Sequence, residues 1–90
     1  MATRSIDAVW ARIKANEGQR FWQIRGQEFS YTVVGSSVIP STTKQNTSRS
    51  QFTEAMALMP LRDTTALQHL RGPSYLFAIL MDPRIRGNDW

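Results

Sequence analysis

The chain has 90 residues, of which 41% are hydrophobic, with four Phe, three Trp and two Tyr. That makes one domain with one modest core, and it excludes a disordered chain. There is no cysteine, which excludes disulfides, thiolate metal sites and thiol catalysis, while eleven Lys and Arg against seven Asp and Glu leave a net charge of +4 that permits nucleic-acid binding without demonstrating it.

The first predicted element is a helix. Ile6, Val9, Trp10 and Ile13 recur at i, i+3, i+4 and i+7, one apolar stripe. Ser5 is placed to cap it, Asp7 suits the positive end of its dipole, and Gly18 is placed to end it. The opening segment, charged throughout, has no apolar run of the kind a signal peptide needs.

The stretch RFWQIRGQEFSYTVVGSSVIP follows, with Gly26-Gln27 and Gly35-Ser36 interrupting β-rich runs. Read as two-residue type II′ turns, they set Ile24 opposite Phe29, Trp22 opposite Tyr31 and Val33 opposite Val38. This register buries Trp22, Ile24, Phe29, Tyr31, Val33 and Val38 on one face and exposes Gln23, Arg25, Glu28, Ser30, Thr32 and Ser37 on the other. Phe21, Val34 and Ile39 are left as an apolar corner on the polar face.

STTKQNTSRS, residues 41–50, is a polar connector. Ser48 and Gln51 read as a capping box for a helix carrying Phe52, Ala55, Met56 and Met59, ended by Pro60. Asp63 or Thr64 caps a short helical turn with Leu67 and Leu70. Pro73 opens a helix over GPSYLFAILMDP that Asp82-Pro83 stops, with a buried strand over residues 75–80 as the alternative. Its apolar run, Tyr75 to Met81, is far below the roughly 20 residues a membrane helix needs. It is therefore expected as a buried plug, with Leu76, Ile79 and Leu80 in the core. Residues from about 84 to 90 show no periodicity and are expected to fray. Their sequence, RIRGNDW, resembles the translation of dispersed repeat elements of bacterial genomes, which implies a bacterial source.

The predicted fold class is α+β: an N-terminal helix, a three-stranded antiparallel meander, then two to three short helices packed on one sheet face. Over residues 5–59 this order resembles the double-stranded-RNA-binding domain. In that family a lysine-rich cluster opens the second helix, whereas SRSQFTEAM offers only Arg49. Three-stranded-sheet DNA binders are a second likeness, implying Gln23, Arg25, Ser30 and Thr32 as a reading face.

Little catalytic chemistry is visible. His69 is the single histidine, and a triad with Ser74 and Asp63 lacks any motif. With no cysteine, a metal would depend on Glu28, Glu54, Asp63 and Asp82, on four separate elements. The five glycines are too dispersed for a phosphate loop. The expectation is a cytoplasmic, non-enzymatic binding module without metal or cofactor. The favoured partner is DNA or RNA, held through phosphates by Arg25, Lys44 and Arg49. The alternative is a protein partner or homodimer, held by Phe21, Val34 and Ile39 and by the strand edge at Ser37–Pro40.

Overall fold

The computed structural model describes residues 5–43 and 45–90. The chain runs α1 (Ile6–Ala15), β1 (Phe21–Trp22), β2 (Glu28–Phe29), β3 (Tyr31–Val34), β4 (Ser37–Pro40), β5 (Thr47–Ser48), α2 (Arg49–Met56), a 3-10 turn (Thr65–Leu67), α3 (Pro73–Leu80) and α4 (Pro83–Arg86). The α+β class is as expected. The strands, however, divide into a two-stranded hairpin, β1–β2, and a three-stranded antiparallel sheet ordered β3-β4-β5.

In α1 the Ser5 hydroxyl accepts the Ala8 N–H, and Val9, Trp10 and Ile13 are buried as the stripe requires. The β3–β4 hairpin also has the expected register, with Val33 opposite Val38 and Val34 opposite Ser37. Gly35 at φ 59, with no residue other than glycine at positive φ among the described residues, is the first position of a type II′ turn.

The first hairpin differs from expectation. Phe21 pairs with Phe29 and Trp22 with Glu28. The Gln23 N–H donates to the Gln27 carbonyl and the Gly26 N–H to that of Gln23. Gly26, at φ 89, is therefore the third residue of a three-residue loop, the left-handed position after a type I turn, and not the first of a two-residue one. Strand side chains alternate, so an odd change of register exchanges the two faces. Phe21 is wholly buried, whereas Trp22 is 53% and Ile24 49% exposed. The apolar corner of Phe21, Val34 and Ile39 accordingly does not form. Ile39 lies opposite Thr32 on the face that carries Val34, and Phe21 has gone into the core.

Phe21 packs beside Phe29 and Tyr31 at ring-centroid distances of 6.0 and 5.2 Å, and the Arg84 guanidinium caps its ring at 4.1 Å. Phe52, Ala55, Met56 and Met59 are buried, as their spacing predicts. The capping box is absent: Ser48 makes no side-chain cap, and the Gln51 side-chain oxygen Oε1 accepts the Arg71 N–H at 2.7 Å instead. In α3, which starts at Pro73, Leu76, Ile79 and Leu80 are fully buried. This is the plug between sheet and helices. Among the described residues no helix is long and apolar enough to cross a membrane.

The tail does not fray. Asp82 caps α4, Ile85 is fully buried, and the Trp90 indole donates to the Leu80 carbonyl at 2.8 Å. Arg12 of α1 donates to the Ile85 carbonyl at 2.9 Å and meets the Asp89 carboxylate at 2.7 Å. One arginine thus ties the first helix to the last turn by groups that leave no periodic trace in the sequence.

Candidate functional site

The register of β1–β2 decides which surface the protein offers. With Phe21 anchored inward, the hairpin presents Trp22 to solvent and carries Ile24 and Arg25 at its exposed tip. Arg20, also exposed, precedes them and lies 3.9 Å from Glu28, an exposed ion pair that holds neither side chain firmly.

Between this tip, the turn at Thr64–Gln68 and the start of α3 lies a hollow of about 320 Å³, lined by Gln23, Ile24, Arg25, Gln27, Thr64, Gln68 and Ser74. A second hollow of about 290 Å³ shares Gln23 and Gln27 and adds Thr42 and Tyr75. The far wall is ordered: the Tyr75 and Thr42 hydroxyls are bonded at 2.6 Å, and the Tyr75 ring stands edge-on to Phe29 at 4.9 Å. The Gln68 amide donates to the Thr64 carbonyl and hydroxyl, both at 3.2 Å. Among the described residues no carboxylate lines either hollow. The groove is therefore neutral and rich in amides and hydroxyls, with one guanidinium at its rim. Such a lining pairs with groups that both donate and accept hydrogen bonds, and tolerates an anion at Arg25.

The expected nucleic-acid residues are not brought together. Arg25 stands at the groove. Arg49 opens α2, where its guanidinium is ion-paired with Asp7 and stacks over the Trp10 ring at 5.8 Å. It fastens α2 to α1 and is not a free cation. Lys44 lies outside the described residues. Of the expected partner residues, Val34 is 56% exposed, Ile39 half-buried and Phe21 inaccessible, so they form no common surface. Pro40 falls opposite Tyr31 at the end of β4, and β5 covers the outer side of that strand at Ser37 and Val38.

His69 is exposed, and no hydrogen bond joins it to Ser74 or Asp63 among the described residues. The Asp63 carboxylate accepts the Thr65 N–H at 2.9 Å, and that bond holds its pKa below the usual value. Burial pushes the Tyr31 phenol well above its ordinary value, and its O–H donates to the Ile13 carbonyl at 2.5 Å. Both groups are spent on structure. No group of three His, Cys, Asp or Glu that could hold a metal occurs among the described residues.

Trp22, Gln27, Thr64, Gln68 and Ser74 were not legible as site residues. Trp22 follows another aromatic, so either member of the pair could be the buried one, and only the turn geometry at Gly26 decides. The polar wall is assembled from segments roughly 40 residues apart, and no local motif marks it. The chain matches no protein-family model, no curated protein and no solved structure.

Proposed function

We propose that this protein is a non-enzymatic nucleic-acid-binding module that takes a single-stranded segment across the β1–β2 hairpin. The observation that carries the reading is a hairpin that exposes Trp22, opposite Glu28, and whose tip borders a carboxylate-free groove of amides and hydroxyls with Arg25 at its rim. An indole face stacks on any base, and a guanidinium takes the neighbouring phosphate. Gln23, Gln27 and Gln68 offer both donors and acceptors to base edges. Arg20 and the net charge of +4 add a general attraction for a polyanion. A bacterial, cytoplasmic setting accompanies the reading, supported by the cysteine-free composition and by the likeness of the tail.

The test is a titration of mixed-sequence single strands and duplexes, DNA and RNA, at low and physiological salt. Single strands are expected to bind more tightly than duplexes, at roughly 10⁻⁴–10⁻⁶ M, with affinity falling as salt rises. Trp22→Ala is expected to weaken binding by about 1–3 kcal/mol, one stacked base, and Arg25→Glu to weaken it further at low salt. Absence of binding at low salt overturns the proposal.

A second reading rests on the same hairpin. Trp22 and Ile24 are exposed apolar side chains next to an arginine, the residue types that anchor protein interfaces. A protein partner or a homodimer held this way would associate in a salt-tolerant manner and be lost on Trp22→Ala and on Ile24→Ser. The polar lining of the groove favours the nucleic acid.

A further inference from the structure

The two hollows at the hairpin differ in charge. The one of about 320 Å³ has Arg25 at its rim, whereas the one of about 290 Å³ is lined by Gln23, Gln27, Thr42 and Tyr75 and, among the described residues, by no charged side chain. Gln23 and Gln27 line both, so one molecule can span them. The neutral hollow is built around a pair of hydroxyls. The Tyr75 ring is anchored edge-on against the buried Phe29 at 4.9 Å. Thr42 sits between two pinned neighbours: the Ser41 N–H donates to the Ser30 carbonyl at 2.8 Å, and the Thr43 N–H to that of Pro40 at 3.4 Å. The two hydroxyls meet at 2.6 Å, and among the described residues no other group bonds to either. Whichever of them donates, the hydrogen of the other is left for a ligand, together with spare lone pairs on both oxygens.

We infer that the strand taken by this groove is RNA, and that Tyr75, paired with Thr42, is the specificity-determining residue that reads the ribose 2′-hydroxyl. The inference rests on the nucleic-acid reading given above and names its substrate class. A phosphate held by Arg25 has its own sugar next to it in the strand, and the neutral hollow across Gln23 and Gln27 receives that sugar. Ribose differs from deoxyribose by one group that both donates and accepts a hydrogen bond. The hydroxyl pair complements it in both senses. Deoxyribose in the same place loses the bond without a clash, and the pair, open to solvent, returns to water. The discrimination is therefore that of one net hydrogen bond.

The probes are oligouridylate and oligodeoxyuridylate of equal length, which differ only in the 2′-oxygen, titrated by fluorescence anisotropy at low salt. The unaltered chain is expected to bind the ribose strand about 2- to 12-fold more tightly, the worth of one net hydrogen bond. Tyr75→Phe keeps the ring against Phe29 and removes the hydroxyl. It is expected to bind both strands equally, through weaker binding of the ribose strand and unchanged binding of the deoxyribose one. Thr42→Val, at an exposed position, leaves the Tyr75 ring in place and is expected to narrow the preference. It carries the test should Tyr75→Phe lose the cooperative thermal transition of the unaltered chain. Equal affinity of the unaltered chain for the two strands overturns the inference and leaves the nucleic-acid reading standing. So does a ribose preference undiminished in both variants, or a variant that weakens both strands alike. Absence of binding to either strand overturns the nucleic-acid reading and the inference with it.

Discussion

Replacing Phe21 with Ala tests the hairpin register more directly than any other change. The ring is fully buried against Phe29 and Tyr31, and Arg84 lies over its outer face. Removing a buried phenyl costs about 3–5 kcal/mol, the transfer of its carbons plus the cavity left behind. Two aromatic contacts add to the loss, at about 0.5–1.5 kcal/mol each in general. Arg84 does not fill the vacancy, because its guanidinium is held by the Asp82 carboxylate and the Arg20 carbonyl. The expected cost is therefore about 3–5 kcal/mol. A domain of this length has a total stability of roughly 5–13 kcal/mol, so the variant loses a large part of it. Trp22→Ala, by contrast, removes a side chain that is mostly in solvent, and is expected to change stability by no more than about 0.5 kcal/mol. Urea unfolding of both variants, with the slope m unchanged, gives the two numbers on one scale. A Trp22→Ala variant that costs as much as Phe21→Ala would refute the assigned register.

The other predictions concern the turn, the plug, the clasp and pH. Gly26→Ala is expected to cost about 1–2 kcal/mol in thermal unfolding, purely from forcing an L-residue to φ 89, since nothing lies within 4 Å of the added methyl; no loss would refute the left-handed loop position. Ile79→Asp is expected to abolish the cooperative unfolding transition, because it puts an unpaired charge in a fully buried site. Arg12→Ala is expected to raise amide exchange in residues 85–89 selectively, as the clasp to Ile85 and Asp89 opens. Burial acts to raise the Asp82 pKa, but hydrogen bonds from the Arg84 side chain and backbone and the Arg84 charge outweigh it and leave it lowered. Its stabilising contribution is accordingly complete above the unfolded value, about 3.9, and lost as pH falls through the folded value. Asp82→Asn should flatten that part of the acid-unfolding profile.

Helices were legible where periodicity and stop signals agreed. The α1 stripe had one arrangement that buried its apolar side chains, while in the Pro73-to-Asp82 run, which a buried strand also fits, Pro73 and Asp82-Pro83 favour the helix that the structure adopts. Gly35 was legible because Val34 and Ser37 close correctly around a two-residue turn. Gly26 was not, because a glycine serves equally as the first residue of a short loop or the last of a longer one, and Phe21-Trp22 supplies an aromatic for either phase. That single ambiguity hides the candidate site, since the two-residue turn places Trp22 in the core. The division of the sheet at Ser30 was equally hidden. It depends on the Ser41 hydroxyl accepting the Ser30 N–H and the Ser30 carbonyl accepting the Ser41 N–H, contacts between residues with no pattern to announce them.

The Arg12 clasp also sets a timetable for biosynthesis. Its carbonyl partner at Ile85 lies 73 residues downstream. At about 5–20 residues per second, a ribosome takes roughly 4–15 s to supply that partner after Arg12 has been joined. α1 meets Phe52 of α2 earlier, through Trp10. Its closing contact, however, waits for the last element. Until then the Arg12 guanidinium lacks its carbonyl partner and the core lacks the fully buried Ile85. A chain truncated before Ile85 would lack that contact, so α4 acts as the latch on the fold that α1 begins.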